Sequence, residues 1–447
     1  MSLKRKKSEA ATRPISQITS APILLVSNKT GRIRDFPILE ASGMKAGHFF
    51  RLHPSELIKL PQGSELFMLP DRFAVGYDSA SKRFVTVDGY FAVSAFMSPG
   101  YAVTYNSAYT EIGHPEILPL FSYGAVALYK GEFYVASVRV DRELRQDLRL
   151  MDIRLVRNNV KSYRKLFPKN RLVEHLEGCA LTYGCPAAKN FFLKRYEAPL
   201  PTSPYCNSEC LGCISYQRKP QPSITQPRIK FFPNAREIAD VALFHIKNVN
   251  DPVVSFGQGC EGEPLLAEKT IREAIKLIRN ETQKGIINMN TNASIPRAIE
   301  RLFDAGLNSI RVSLNSCREE YYLRYYKPKG YRYKDVLRSI EIAKKKKGFV
   351  SLNYLTMPGF TDSWRELSSL EKLIERYRID MIQWRNLNYD PLRYFEKLKA
   401  GIDNDSTLGI REAIFYLKKK FPGLMIGYFN PSRGRISLNS LSLKRRG

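Results

Sequence analysis

Long apolar runs are missing from this chain of 447 residues. No stretch reaches the eighteen or so consecutive apolar residues that a membrane-crossing helix needs, so no transmembrane segment is expected. The opening Met1-Ser2-Leu3-Lys4-Arg5-Lys6-Lys7 is not followed by the apolar stretch of a secretory leader, and the expected location is the cytoplasm. Cysteine is scarce at seven, an odd number that argues against a disulfide framework and agrees with a reducing compartment. Histidine is scarcer still, and His48, His53 and His114 are scattered with no catalytic set around them. Acidic side chains fall short as well, 43 Asp and Glu against 71 Lys and Arg, for a formal charge of +28. Such a field would attract RNA, an anionic membrane face or an acidic peptide. No RNA-binding fingerprint of the ribonucleoprotein or K-homology type accompanies it. The excess is spread along the chain, with local runs at Lys4 to Lys7, Lys161 to Arg171, Lys344 to Lys347 and Lys444 to Arg446. A hydrophobic share of 43% excludes a disordered protein, and the length admits two to three domains.

What cysteine there is gathers in one place. Residues Tyr205 to Ile214 read YCNSECLGCI, putting Cys206, Cys210 and Cys213 in a C-x3-C-x2-C spacing. Three thiolates on one loop can ligate three irons of a 4Fe–4S cubane and leave the fourth iron open for a small molecule. A cluster with four cysteine ligands is restricted mainly to electron transfer. The same triad could hold zinc, although zinc sites usually show two ligand pairs separated by a dozen or more residues. Upstream, Cys179 and Cys185 form a C-x5-C pair that is either an auxiliary metal centre, with Cys260 or Cys317 adding ligands, or a pair of buried small hydrophobes.

About forty residues downstream the run Val253-Val254-Ser255-Phe256 breaks into Gly257-Gln258-Gly259-Cys260-Glu261-Gly262-Glu263-Pro264. A cysteine loop followed at this distance by a Gly-Glu-Pro turn resembles the radical S-adenosylmethionine (radical SAM) superfamily, subfamily not identified. Glu261 stands where that pattern has its first Gly, and Gly212 stands where an aromatic usually precedes the third cysteine; Tyr205 or Tyr216 is the candidate replacement. The cysteine-rich C-terminal extension of many peptide-modifying relatives is missing, since no cysteine follows Cys317. The resemblance implies a 4Fe–4S cluster on Cys206, Cys210 and Cys213 and S-adenosylmethionine at its open iron. It further implies a flavodoxin- or ferredoxin-like electron donor and a 5′-deoxyadenosyl radical that abstracts hydrogen from a peptide, protein or metabolite. Gly262, Glu263 and Pro264 would bind the methionyl end, a backbone without Cβ approaching closely and a carboxylate accepting from the ammonium group. Two other readings remain at this point, an RNA-modifying radical enzyme and a zinc-stabilised binding protein without catalysis.

In chain order, residues 1–21 read as a disordered basic arm and 22–140 as a mainly β accessory domain of short aromatic-rich strands. Residues 141–200 form a charged helical connector carrying Cys179 and Cys185. From 201 to 390 strands and helices alternate, which predicts parallel βα units. With the resemblance this becomes an incomplete (β/α)6 TIM-type barrel; residues 391–447 would close or flank it and end in a basic tail. Strands are expected at Val253–Phe256, Ile286–Thr291, Ser309–Asn315, Phe349–Leu355 and Asp380–Leu387. Within them Ile287 and Met289 oppose Asn288, Asn290 and Asn292, and Ile310, Val312 and Leu314 oppose Arg311, Ser313 and Asn315. The apolar face would meet the outer helices, so the polar face should point inward. Asn288 and Arg311, deeper in their strands, would fix the interior. Asn290, Asn292, Ser313 and Asn315, nearer the C-terminal ends, would contact the cofactor, with Asn353, the Met357-Pro358-Gly359 turn and Arg385 as weaker candidates.

Overall fold

A computed structural model describes residues 21–218, 222–401 and 407–444, so the basic arm and the extreme C-terminus lie outside the described residues. Among the described residues no helix is long and apolar enough to cross a membrane.

The chain forms two units. The first comprises residues up to Val140 together with Thr356–Leu367 and Arg385–Phe415, and is built on a 12-stranded antiparallel sheet. Its long central hairpin pairs Glu65–Asp78 with Arg83–Phe96, strands longer than the short ones expected for this region. A second hairpin pairs Gly124–Tyr129 with Glu132–Arg139. Its two loop residues, Lys130 (φ 51) and Gly131 (φ 76), both take left-handed backbone, as a hairpin turn matching the strand twist requires.

The expected division at residue 390 is redrawn by this unit. The helix Pro391–Leu398 belongs to it because Asp390, fully buried, caps that helix and accepts from Arg72 at 3.0 Å, while Arg393 donates to both oxygens of Glu111 at 2.9 Å. A pairing between residues more than 300 positions apart leaves no local pattern in sequence. Residues 416–444 belong to the second unit.

That second unit carries a seven-stranded parallel sheet in strictly sequential order. Its strands are β1 (Glu197–Pro199), β2 (Val253–Phe256), β3 (Ile286–Thr291), β4 (Ser309–Leu314), β5 (Phe349–Thr356), β6 (Met381–Asn386) and β7 (Met425–Gly427). The sheet thus opens at Glu197, just ahead of the expected start, and gains β7 as a seventh parallel strand beside β6. Helices α1 (Ile153–Leu166), α2 (Arg171–Leu181) and α3 (Pro186–Phe192) precede it. Crossovers follow through α4 (Ala235–Asn248), α5 (Glu268–Glu281), α6 (Pro296–Ala305), α7 (Glu319–Tyr326), α8 (Tyr333–Lys345) and α9 (Trp364–Tyr377).

Local chemistry sets several of these boundaries. Asn234 and Glu237 form a reciprocal capping box at the start of α4. Pro296 opens α6, and Gly306, at φ 115, ends it by donating to Leu302 and Phe303 carbonyls. Ile271, Ala274, Ile275 and Ile278 of α5 are fully buried on one stripe.

The sheet is curled, and Asn430 shows it. Lying just past β7, Asn430 donates to Glu197 of β1 at 2.7 Å, to Ser255 of β2 and to Asn290 of β3, both at 3.3 Å, and accepts from Gln383 of β6 at 3.1 Å. Side chains from both ends of the strand order can meet on one amide only if that face is concave. Arg311 of β4 likewise reaches Gln383 at 2.9 Å across β5. Asn288 donates to Asn290 and Ser255 and accepts from Ser309, completing a polar interior of the kind a partial TIM-type barrel has.

Candidate functional site

The cysteine loop leaves the C-terminal end of β1, and the connections after β2, β3 and β4 converge on it. From the β2 side, Gly262 donates to Ser203 O at 2.6 Å and Glu263 to Tyr205 O at 2.8 Å. A methyl group on Gly262 would sit 1.9 Å from Tyr205 O and 3.0 Å from Cys206 N, so the missing Cβ here admits the backbone of the cysteine loop itself. Glu261, the departure from the family pattern, is buried and accepts from Thr202 N at 2.7 Å, Ser203 N at 3.1 Å and Gln258 N at 2.6 Å. Its carboxylate therefore splices the approach to the loop onto the Gly-rich turn. Burial pushes its pKa up against those donors.

From the β3 side comes Asn292, whose amide donates to Asn207 at 2.7 Å and Ser208 at 3.1 Å. Its backbone N–H meets Glu263 at 2.8 Å. Glu263 also accepts from the Thr291 hydroxyl and from Leu265 N, capping the short turn that Pro264 opens. Fully buried, it has a pKa pushed up to about 7, burial outweighing those three donors.

From the β4 side, α7 and the turn after it hold the loop backbone. Glu209 N and Leu211 N donate to Tyr326 O and Tyr325 O at 3.0 Å, and Lys329 N to Asn207 O at 2.9 Å. Ser208 meets the Tyr331 hydroxyl at 2.8 Å, which in turn meets Tyr322 at 3.1 Å. This tyrosine set had no signal in the periodicity, since α7 itself, four of its eight residues Tyr, shows no clean apolar stripe.

The three loop thiols are free, partly buried and electrostatic neighbours of one another. Burial raises the Cys206 thiol to about 11, with Glu263 adding to the shift. It drives Cys210 well above its ordinary value, with the charges of Cys213 and Cys206 adding to it. Metal ligation reverses this balance because the ligand is the thiolate. Arg228, which the sequence did not single out, donates to Cys213 Sγ at 3.5 Å and to Ser215 at 3.2 Å. Among the described residues, the ligand group whose atoms all lie within 4.8 Å of one another is His175, Cys179 and Cys260, away from this loop in sequence.

The remaining candidates divide by depth. Asn290 donates to Gly257 O at 2.9 Å and accepts from Asn288 and Asn430, so its amide belongs to the interior network. Asn315 is buried and donates to Tyr321 O at 3.3 Å, at the start of α7. Ser313 of β4 lies half-buried beside its register partner Asn353 of β5, whose Oδ1 is buried without a hydrogen-bond partner among the described residues. Tyr205 is 65% exposed and packs on Phe232, and Tyr216 is 46% exposed beneath the Arg228 guanidinium. Cys179, on α2, lies against His175 and Cys260, and Cys185 is joined to Cys179 through a backbone hydrogen bond of 3.0 Å.

Residues 200–370 match the family model of the Radical SAM superfamily. Residues 200–370 thus carry a radical SAM domain. Members of that superfamily are enzymes, and the family implies a 4Fe–4S cluster and S-adenosylmethionine. The superfamily's matched segment begins just after β1 and runs through the cysteine loop into α9. A curated relative, an uncharacterized protein of Methanocaldococcus jannaschii, is 29% identical over 155 residues, 34% of this chain and 51% of that protein. The chain thus spans about half the length of the curated relative it matches. Among solved structures, methylornithine synthase is similar at 15% identity, covering 60% of this chain and 77% of that chain with a TM-score of 0.36. The FeFe-hydrogenase maturase HydG from Carboxydothermus hydrogenoformans is similar at 14% identity, covering 66% and 83% with a TM-score of 0.34.

Proposed function

We propose that Cys206, Cys210 and Cys213 hold a 4Fe–4S cluster and that the protein uses it, with S-adenosylmethionine, to act on a substrate by hydrogen abstraction. When bound, the cluster and S-adenosylmethionine supply one-electron cleavage of the sulfonium C–S bond and with it a 5′-deoxyadenosyl radical. The observation that carries this reading is the convergence of the connections after β2, β3 and β4 on one cysteine loop. Gly262, Glu263, Asn292 and Tyr331 fix its backbone and side chains, leaving the three thiols as its uncommitted chemistry. Arg228 places a guanidinium on Cys213, which offsets negative charge gathered at the sulfurs.

On the concave face, Ser313 and the unsatisfied Oδ1 of Asn353 offer polar contacts to a bound cofactor, while Asn290 holds the floor beneath them. Glu263, adjacent to Cys206 and held by three internal donors, can take a further hydrogen bond from an ammonium group. Gly262 and Pro264 set the turn that presents it. The electron enters from a flavodoxin- or ferredoxin-like donor. The substrate is a peptide, protein or metabolite.

The test is anaerobic reconstitution with iron and sulfide, followed by reduction in the presence of S-adenosylmethionine. Wild-type protein should turn brown, bind about four iron and four sulfide at the loop and release 5′-deoxyadenosine. Cys206→Ala should lose the chromophore and the cleavage together. Normal 5′-deoxyadenosine formation by the Cys206→Ala protein would refute the assignment.

A further inference from the structure

A second set of ligands lies under the turn that carries Glu261 and Gly262. His175 and Cys179 are one helical turn apart on α2, so their side chains stack on one face. Cys260 comes from the Gly-rich connection after β2, and its carbonyl is held by Ile229 N at 2.8 Å. One ligand atom from each of the three lies within 4.8 Å of the other two. Both cysteines are only 3% exposed, and His175 is partly buried with its ring edge-on to Phe231.

The distances suit one ion. With Zn–S near 2.3 Å and Zn–N near 2.05 Å, a tetrahedral angle puts an imidazole nitrogen and a thiolate about 3.6 Å apart. Here His175 Nε2 and Cys179 Sγ are 3.5 Å apart. Two sulfurs and one nitrogen are a borderline-soft donor set, which selects zinc-class divalent ions over magnesium or calcium.

We propose that His175, Cys179 and Cys260 bind a single divalent transition-metal ion of the zinc class. Cys185, whose backbone N–H donates to Cys179 O at 3.0 Å, is the candidate for a fourth corner. The ion fastens α2 to the residue before Glu261, whose carboxylate holds Thr202 and Ser203 at the approach to the cysteine loop. It is therefore a structural site beneath the radical SAM loop, separate from it in ligands.

The experiment measures zinc, iron and acid-labile sulfide in wild-type protein and in the Cys206→Ser/Cys210→Ser/Cys213→Ser variant, both purified without oxygen. The proposal expects about one zinc per chain in each, because the loop cysteines take no part, and about a tenfold loss of zinc in His175→Ala and in Cys260→Ser. Cobalt(II) added to metal-free loop variant should give the visible bands of tetrahedral thiolate-bound cobalt, and none in its Cys260→Ser derivative. Three results would overturn the site: no stoichiometric zinc in wild type, zinc unchanged in His175→Ala, or iron with sulfide in the loop variant in place of zinc. Iron and sulfide in wild type report on the loop cluster independently, so the failure of either reading is seen without the other. If the loop variant does not fold, the zinc content of His175→Ala and Cys260→Ser, made in the otherwise wild-type chain, decides the matter.

Discussion

Replacing Gly262 by Ala adds one methyl group where the turn after β2 meets the cysteine loop. The new carbon would stand 1.9 Å from Tyr205 O and 2.3 Å from the carbonyl carbon. An ordinary carbon–oxygen contact is near 3.2 Å, so the Tyr205–Cys206 peptide must retreat by about 1.3 Å, far beyond side-chain adjustment in a close-packed interior. Gly262 is not among the residues with positive φ, so the penalty is steric and not conformational. Moving the peptide breaks or stretches the Gly262 N to Ser203 O and Glu263 N to Tyr205 O bonds. At about 1 kcal/mol for each bond and about 1–2 kcal/mol for residual strain, the variant should lose about 3 kcal/mol. More importantly for function, Cys206 shifts with its own peptide. The assay is urea denaturation together with iron and sulfide content after anaerobic reconstitution. Gly178→Ala is the control: it lies within α2 with nothing inside 4 Å of the added carbon, and should gain about 0.5–1 kcal/mol from helix propensity with cluster content unchanged. Full stability and full cluster loading in Gly262→Ala would show that the turn does not buttress the loop.

Other substitutions probe other parts of the molecule. Arg228→Gln removes the cation from Cys213 and should lower the cluster's midpoint potential by some tens of millivolts, given about 59 mV per 1.4 kcal/mol for one electron, as read by EPR-monitored titration; an unchanged potential would remove Arg228 from the site. Buried His245 has its pKa lowered to about 4 by desolvation, its Nε2 facing Tyr196 O at 3.4 Å and its Nδ1 without a partner among the described residues. Because the folded pKa lies below the unfolded one, its contribution is complete above about pH 6.5 and is lost as the pH falls toward 4, up to about 3 kcal/mol. His245→Gln should flatten the stability profile across that window, and an unaltered profile would mean that the ring is solvated. In the antiparallel unit, Asp390→Ala removes the buried carboxylate nearest the Arg72 guanidinium, itself 1% exposed, and leaves it only Glu111 at 3.5 Å as a counter-charge; it should cost about 2–3 kcal/mol in thermal or denaturant unfolding. A loss below about 1 kcal/mol would show that water reaches the pair.

Much of the second unit was readable because its signals are local. The apolar run Val253–Phe256, the capping box of Asn234 and Glu237 and the Pro296-to-Gly306 frame of α6 each lie within a dozen residues, and each forms as the pattern requires. Strand alternation likewise separated Ile287 and Met289 from Asn288 and Asn290. Less was readable at the site. At Gly262 the resemblance implies a close approach of the cofactor, and the structure also sets the backbone of the cysteine loop against it. Arg228 lies in a loop with no motif to mark it, and Tyr331 in a turn between helices. The sequence leaves several partners open for Cys179, and no local pattern marks His175, one turn from it on α2, as facing Cys260.

By itself the sequence determined the order of strands and helices, the inward polar face of the sheet and the gathering of three cysteines on one loop, because periodicity, caps and residue spacing are written over short separations. Only the tertiary structure decided what meets across the sheet: Asn430 joining both ends of the strand order, Asp390 returning a helix to the antiparallel unit, and His175 facing Cys260. Those meetings depend on how far the sheet curls and where each crossover lands. Both are set by packing summed over the whole chain, which no short stretch of residues contains.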